Sequence, residues 1–228
     1  MAASAPAALY ARLIRWAFAR FYQEFSWTYD TVAALASAGR WRNWTLTALE
    51  FARGATLEIG CGTGHVQLAL ARRHVGFFAG LDRSPQMLRL TRRRLRQAGF
   101  STPLVRADAR ALPFVSESFD AIIATFPSDY IAAEATVAEI RRVLRPGGTV
   151  AIALWARFAD DSPYARLLDV AYRATLQRSP RPVTPVTSAA LHRFGERFER
   201  AGIDVSFREV ATPDGAVQYV LGKRQMLR

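Results

Sequence analysis

The stretch Leu57-Glu58-Ile59-Gly60-Cys61-Gly62-Thr63-Gly64-His65 constrains this chain more than any other. Apolar residues run into three glycines at alternate positions, and an amphipathic stretch opens directly after them. The pattern predicts a buried strand that breaks into a turn without side chains and then continues as a helix. On such a turn a ligand can lie directly against the backbone. Amide groups at the start of the following helix point toward that ligand.

The rest of the chain repeats the strand–helix alternation. Residues 76–81 read as a second strand leading into Asp82. Ser84 and Pro85 supply a cap and a first turn for a helix through residue 97, which Gly99 closes. Residues 102–106 form a third expected strand leading to Asp108, and residues 119–125 a fourth. A helix is expected over 132–144, a turn over 145–148 and a fifth strand over 149–155. Val-, Ile- and Ala-rich strands alternating with helices predict a parallel sheet covered on both faces. Beyond it, residues 162–176 and 188–201 read as helices, and residues 203–210 and 216–222 as strands. Asp214-Gly215 between those last strands is a hairpin signal.

About fifty residues precede the first strand, more than a nucleotide-binding core needs. Residues 7–25 form an amphipathic pattern with Arg12, Arg15 and Gln23 on its polar side, and residues 31–38 and 40–52 read as shorter helices. A basic, aromatic-rich helix of this kind suits a lid on the domain, or a membrane surface. The expected organisation is a helical lid over residues 1–52 and a core over 53–228, within a single domain. With 228 residues and 50% hydrophobic composition, one core suffices.

The formal charge of +12 is carried almost wholly by arginine, since Lys223 is the only lysine. Such a charge suits anionic partners, but most arginines fall at helical spacing rather than in one block, which points to solvated helix faces. Cys61 is the only cysteine, so neither an intrachain disulfide nor a thiolate metal cluster is expected. No apolar run reaches bilayer length, and Arg12, Arg15 and Arg20 break any signal-peptide pattern. A cytoplasmic protein is the default.

Two cofactor classes use a glycine turn of this type, dinucleotides and S-adenosylmethionine. The dinucleotide fingerprint requires a third glycine where this chain has His65, so that match fails. Asp82 stands where a carboxylate can accept both hydroxyls of a ribose. Asp108, beside Ala109, stands where it can accept from an adenine amino group. The block Thr125-Phe126-Pro127 ends the fourth strand at the same carboxyl edge, where open α/β sheets bind ligands.

Five ordered blocks complete the pattern: Leu57 to Gly64, Gly80 to Leu88, Ala107 to Phe114, Ser118 to Ala121 and Arg142 to Gly148. Together they resemble the class I S-adenosylmethionine-dependent methyltransferases, in particular the branch of ubiquinone/menaquinone C-methyltransferases. The resemblance implies a Rossmann-like seven-stranded α/β sheet of order 3-2-1-4-5-7-6 with strand 7 antiparallel. It also implies that Glu58 and the turn Gly60, Cys61, Gly62 and Gly64 hold the methionine portion of the cofactor. Asp82 would take the ribose, Arg83 and Met87 would flank the adenine, Asp108 and Ala109 would meet it, and Thr125 would close the other side.

The acceptor implied is a small hydrophobic or aromatic metabolite. Methyl transfer needs alignment and exclusion of water more than strong acids or bases. The aromatic residues Tyr22, Phe25, Trp27, Tyr29, Trp41 and Trp44 suit a lid, or a contact with the sulfonium. Where the acceptor must lose a proton, His65, Asp129, Tyr130 and Tyr29 are candidates by position alone. Nucleic acid as acceptor is disfavoured, because no Asn-Pro-Pro-Tyr-like block follows the fourth strand. A membrane lipid or quinone, or a cofactor-binding protein without catalysis, are the alternatives. Nothing in the sequence fixes the oligomeric state.

Overall fold

The computed structural model describes residues 37, 39–73, 76–158, 188–213 and 215–226. The helices expected over 7–25 and 162–176, most of that over 31–38, and Tyr29 lie outside the described residues.

The elements are α1 (Trp41–Leu46), a 3-10 turn (Thr47–Phe51), β1 (Thr56–Ile59), α2 (His65–Arg73), β2 (Phe78–Asp82) and α3 (Pro85–Gln97). They continue with β3 (Leu104–Arg106), β4 (Phe119–Thr125), a 3-10 turn (Asp129–Ala132), α4 (Glu134–Val143), β5 (Leu144–Phe158), α5 (Ser188–Arg200), β6 (Ile203–Thr212) and β7 (Gly215–Arg224). One seven-stranded sheet runs in the order β3-β2-β1-β4-β5-β7-β6. The first five strands are parallel, while β7 runs antiparallel to both β5 and β6. That is the order implied by the resemblance.

Alternation along the strands builds two cores. Leu57, Ile59, Ile122, Val150 and Ile152 join Val137 and Ile140 of α4 and Phe198 of α5 on one face. Ile123, Ala151 and Ala153 join Val66 and Leu70 of α2 with Trp44, Ala48 and Leu49 on the other. Residues 41–51 are therefore part of the core. The helix expected over 40–52 is instead one α-turn followed by a 3-10 turn.

The clearest difference lies in β5. Residues 145–148 were expected as a turn, but the strand already begins at Leu144, which pairs with Phe119. The pairing shifts register between Phe119 and Ala121. Gly147 takes a positive φ of 75°, so the irregularity is absorbed as a kink within the strand rather than as a loop. Pairing with β7 also carries β5 past Trp155 to Phe158.

Candidate active site

At the end of β1 the chain turns with positive φ at Gly60, Gly62 and Gly64, at 75°, 51° and 83°. Side chains are strained in that region. Packing gives a second reason at Gly64, where an added Cβ would sit 2.6 Å from Cγ2 of Thr91 on α3. At Gly62 the nearest atom to such a Cβ would be the Gly60 carbonyl oxygen at 4.0 Å, so the space above it is open. The turn is tight against α3 on one side and bare on the other.

The neighbouring strand and helix clamp this turn. The Gly60 and Cys61 N–H groups donate to the Leu81 carbonyl at 2.7 and 2.9 Å. The Gly62 N–H donates to Oδ2 of Asp82 at 2.9 Å, and Thr91 Oγ1 donates to the Gly62 carbonyl at 2.7 Å. Arg94 donates to the Thr63 carbonyl. The other Asp82 oxygen accepts from the Ser84 N–H at 2.8 Å. A carboxylate offers about four lone-pair sites, so acceptor capacity remains for a pair of ligand hydroxyls. Burial pushes the Asp82 carboxyl above its ordinary range, against the pull of the Ser84 and Gly62 amides. Hydroxyl donors would resolvate it.

The structure distributes the other expected site residues unevenly. Ala107 N–H donates to the Asp82 carbonyl at 3.3 Å, which brings the chain after β3 alongside β2. Asp108 lies beyond the end of β3; its Oδ1 accepts from the Arg110 N–H at 2.9 Å and its Oδ2 stands 3.5 Å from the Arg110 guanidinium. Ala109 is buried, as is Met87 in the first turn of α3, whereas Arg83 is exposed. Thr125 is half-buried at the end of β4, paired with Ala153. The Cys61 thiol is buried, and its pKa is raised by that burial and by Glu58 and Asp82, so the cysteine contributes its backbone and not a thiolate.

Glu58 differs from its expected role. Only 1% exposed, it turns into the interface between β1 and α2, where Oε2 accepts from Gln67 Nε2 at 2.7 Å. Burial pushes its carboxyl up to about 8, with Gln67 opposing and Asp82 reinforcing the shift. This geometry offers a ligand no direct contact with Glu58; the side chain, protonated at neutral pH, acts through Gln67.

Among the proton-removing candidates, His65 is half-buried at the first residue of α2, and Asp129 is exposed at the start of a 3-10 turn. Tyr130 reaches the glycine turn: a Cβ on Gly60 would lie 2.6 Å from its hydroxyl oxygen. Burial, then Asp82, Cys61, Glu58 and Asp108, raise the pKa of this phenol. It therefore stays protonated at neutral pH and is unsuited to removing a proton, which corrects the positional expectation.

Sequence reasoning missed two residues of the site, Thr91 and Arg94, and one contact, that of Trp41 with Phe126. Thr91 and Arg94 hold the turn from α3, and a signal existed: Thr91 shares the buried face of that helix with Met87, Leu88 and Leu95. A polar residue on an apolar stripe needs a partner. Phe126, just after β4, takes a positive φ of 50°, its N–H held by the Ala153 carbonyl at 2.8 Å. The Trp41 ring lies against it, centroids 4.7 Å apart. Nothing in the sequence links residues so far apart.

Two grooves of about 320 and 330 Å³ lie at the opposite, amino-terminal edge of the parallel strands, one lined by Phe51, Thr149 and Lys223 and the other by Asp120 and Pro146. They are remote from the glycine turn and share none of its groups. Among the described residues no group of three or more His, Cys, Asp or Glu side chains could hold a metal. No described helix is long and apolar enough to cross a membrane.

Residues 56–148 match the family described as "Methyltransferase domain". The chain is 36% identical over 140 residues to a demethylmenaquinone methyltransferase of Thermus thermophilus, covering 58% of this chain and 62% of that one. It is 34% identical over 131 residues to a ubiquinone/menaquinone biosynthesis C-methyltransferase of Burkholderia mallei, covering 54% of each. These matches span little more than half the length of those relatives. A solved S-adenosylmethionine-dependent methyltransferase of Methanosarcina mazei superposes with a TM-score of 0.55 at 16% identity, covering 79% of this chain and 98% of that one, a likeness of fold. Strand order, the clamped glycine turn and the match over residues 56–148 agree: this part of the chain is similar to a methyltransferase domain, in sequence and in fold.

Proposed function

We propose that this protein transfers a methyl group from S-adenosylmethionine to a small hydrophobic or aromatic metabolite by in-line displacement. The observation that carries this reading is the Gly62 N–H bound to the Asp82 carboxylate at 2.9 Å. That bond joins a bare backbone surface to an acceptor with free lone pairs, the two features that an adenosine-bearing ligand requires. When bound, the cofactor supplies an electrophilic methyl group on a positively charged sulfur. Asp82 accepts the ribose hydroxyls, the turn from Gly60 to Gly64 carries the methionine portion, and Arg83, Met87, Asp108, Ala109 and Thr125 border the remainder.

For the acceptor, the names of the relatives point to a quinone-type ring, methylated at carbon. The half-buried rings of Trp41 and Phe126 beside the end of β4 suit a planar aromatic acceptor. Within this reading residues 1–52 are the cover, whose last part, residues 41–51, packs into the core formed by residues 53–228. Trp44, packed on Phe158 at 5.3 Å, fastens the last part of that cover to the sheet. An acceptor held there is removed from water, and alignment then supplies much of the rate.

Titration calorimetry tests the cofactor assignment. Wild-type protein should bind S-adenosylmethionine, and Asp82→Ala and Gly62→Val should each weaken it about tenfold or more, some 1.4 kcal/mol. Unchanged affinity in both variants would sink the reading. Methyl transfer to a demethylated quinol, against a non-aromatic control, tests the acceptor.

A further inference from the structure

We propose that the Tyr130 hydroxyl, set against Gly60 on the sheet edge that also bears Asp82 and Asp108, favours the charged sulfonium form of the cofactor over its neutral thioether product. Tyr130 is then a positioning residue that tightens binding before transfer and eases release after it. The inference rests on the methyl-transfer reading above.

Placement is the first argument. Tyr130 sits in the 3-10 turn after β4, and that turn is anchored by Ile131, which is 2% exposed and belongs to the core. The Ile131 N–H donates to the Ser128 carbonyl at 3.2 Å, and the Ala133 N–H to the Tyr130 carbonyl at 3.1 Å. From this base the side chain crosses the carboxyl edge of the sheet from β4 to the end of β1. Its hydroxyl leads: a Cβ on Gly60 would be 2.6 Å from the oxygen but 3.9 Å from the ring carbon that bears it. The phenol thus borders the bare backbone on which the methionine portion lies.

Satisfaction of hydrogen bonds is the second. Among the described residues the Tyr130 hydroxyl makes no hydrogen bond, although its ring packs on the core. Nor is its oxygen one of the buried polar atoms without a partner, so it opens to the space above the turn. Its lone pairs are therefore available to a ligand that lies on the glycine turn.

Charge decides which ligand state the oxygen prefers. Asp82, Cys61, Glu58 and Asp108 all act on Tyr130 in the sense that opposes a further negative charge. Of these groups the carboxylates of Asp82 and Asp108 attract a positive charge, while the Glu58 carboxyl and the Cys61 thiol stay neutral at pH 7. Carbon–hydrogen groups beside a sulfonium are polarised and bond to an oxygen lone pair, and they lose that polarisation once the sulfur is neutral. When the methyl group leaves, the S–C electron pair stays on sulfur and its positive charge disappears. The attraction at Tyr130 then ends, while Asp82 and the glycine turn hold the rest of the molecule as before.

Calorimetry on the full chain tests this, comparing wild type with Tyr130→Phe toward S-adenosylmethionine and S-adenosylhomocysteine. The expected result is a loss of about threefold to fivefold for the sulfonium, the size of a weak hydrogen bond, with thioether affinity nearly unchanged. Retained thioether binding also shows that the variant is folded. Equal losses for both ligands, or none for either, would overturn the selectivity while leaving the methyl-transfer reading intact. Failure of wild type to bind either ligand would instead remove both.

Discussion

Glu58 occupies a place in which an ionised carboxylate is expensive, under the sheet with the Gln67 amide as its hydrogen-bonding partner. Its carboxyl is pushed up to about 8 from an ordinary 4.5, so the folded protein retains a proton that the unfolded chain releases between those values. More protons are bound in the native state over that window, so stability is fully present below about pH 4.5 and declines as pH rises toward 8. Asp82, shifted in the same direction, adds to the decline. Glu58→Gln keeps the shape and removes the titration. Thermal melts at pH 5 and pH 9 should show a smaller drop for the variant than for wild type, and equal drops would show that Glu58 does not drive it.

Among the elements, α3 does most to shape the site. Ser84 caps it, its hydroxyl accepting from the Met87 N–H at 3.3 Å, and Pro85 fills the first turn. One turn later Thr91 and Arg94 reach back to the glycine turn. Ser84→Ala removes the cap but leaves the backbone N–H that Asp82 uses. It should lower stability by about 1 kcal/mol in urea unfolding with little change in cofactor affinity. A large loss of affinity would mean that the cap, and not the carboxylate, sets the geometry of Asp82.

Across the whole molecule, the antiparallel end of the sheet is tied to the parallel part through Arg224. Its side chain is 6% exposed, donates to the Leu144 carbonyl and pairs with Glu117 at 2.7 Å. Glu117 itself takes a positive φ of 59° in the loop before β4. Glu117→Ala leaves a buried guanidinium short of an acceptor and should cost about 2 kcal/mol. Arg110→Ala breaks the half-exposed pair with Asp108 and should cost no more than about 0.5 kcal/mol. Chemical denaturation of the two variants checks the contrast, and similar losses would argue that Arg224 is not the tie.

The Ser84 cap, the span of β4 and the glycine turn with Asp82 were legible because each depends on local chemistry, whereas the strand order followed only from the resemblance to the methyltransferases. Positive φ favours glycine, a helix start favours a capping side chain, and a buried parallel strand favours an apolar run. The length of β5 was not legible, because pairing with β4 and β7 overrides the turn signal of Pro146-Gly147-Gly148. Burial alone reversed two roles: Glu58 turned inward to Gln67, and Tyr130 became a protonated hydroxyl rather than a base. By itself the sequence determined that a bare turn and a carboxylate would meet at the edge of an α/β sheet. Only the tertiary structure decided which side chains face that crevice, because desolvation and side-chain direction are properties of neighbours brought from distant parts of the chain.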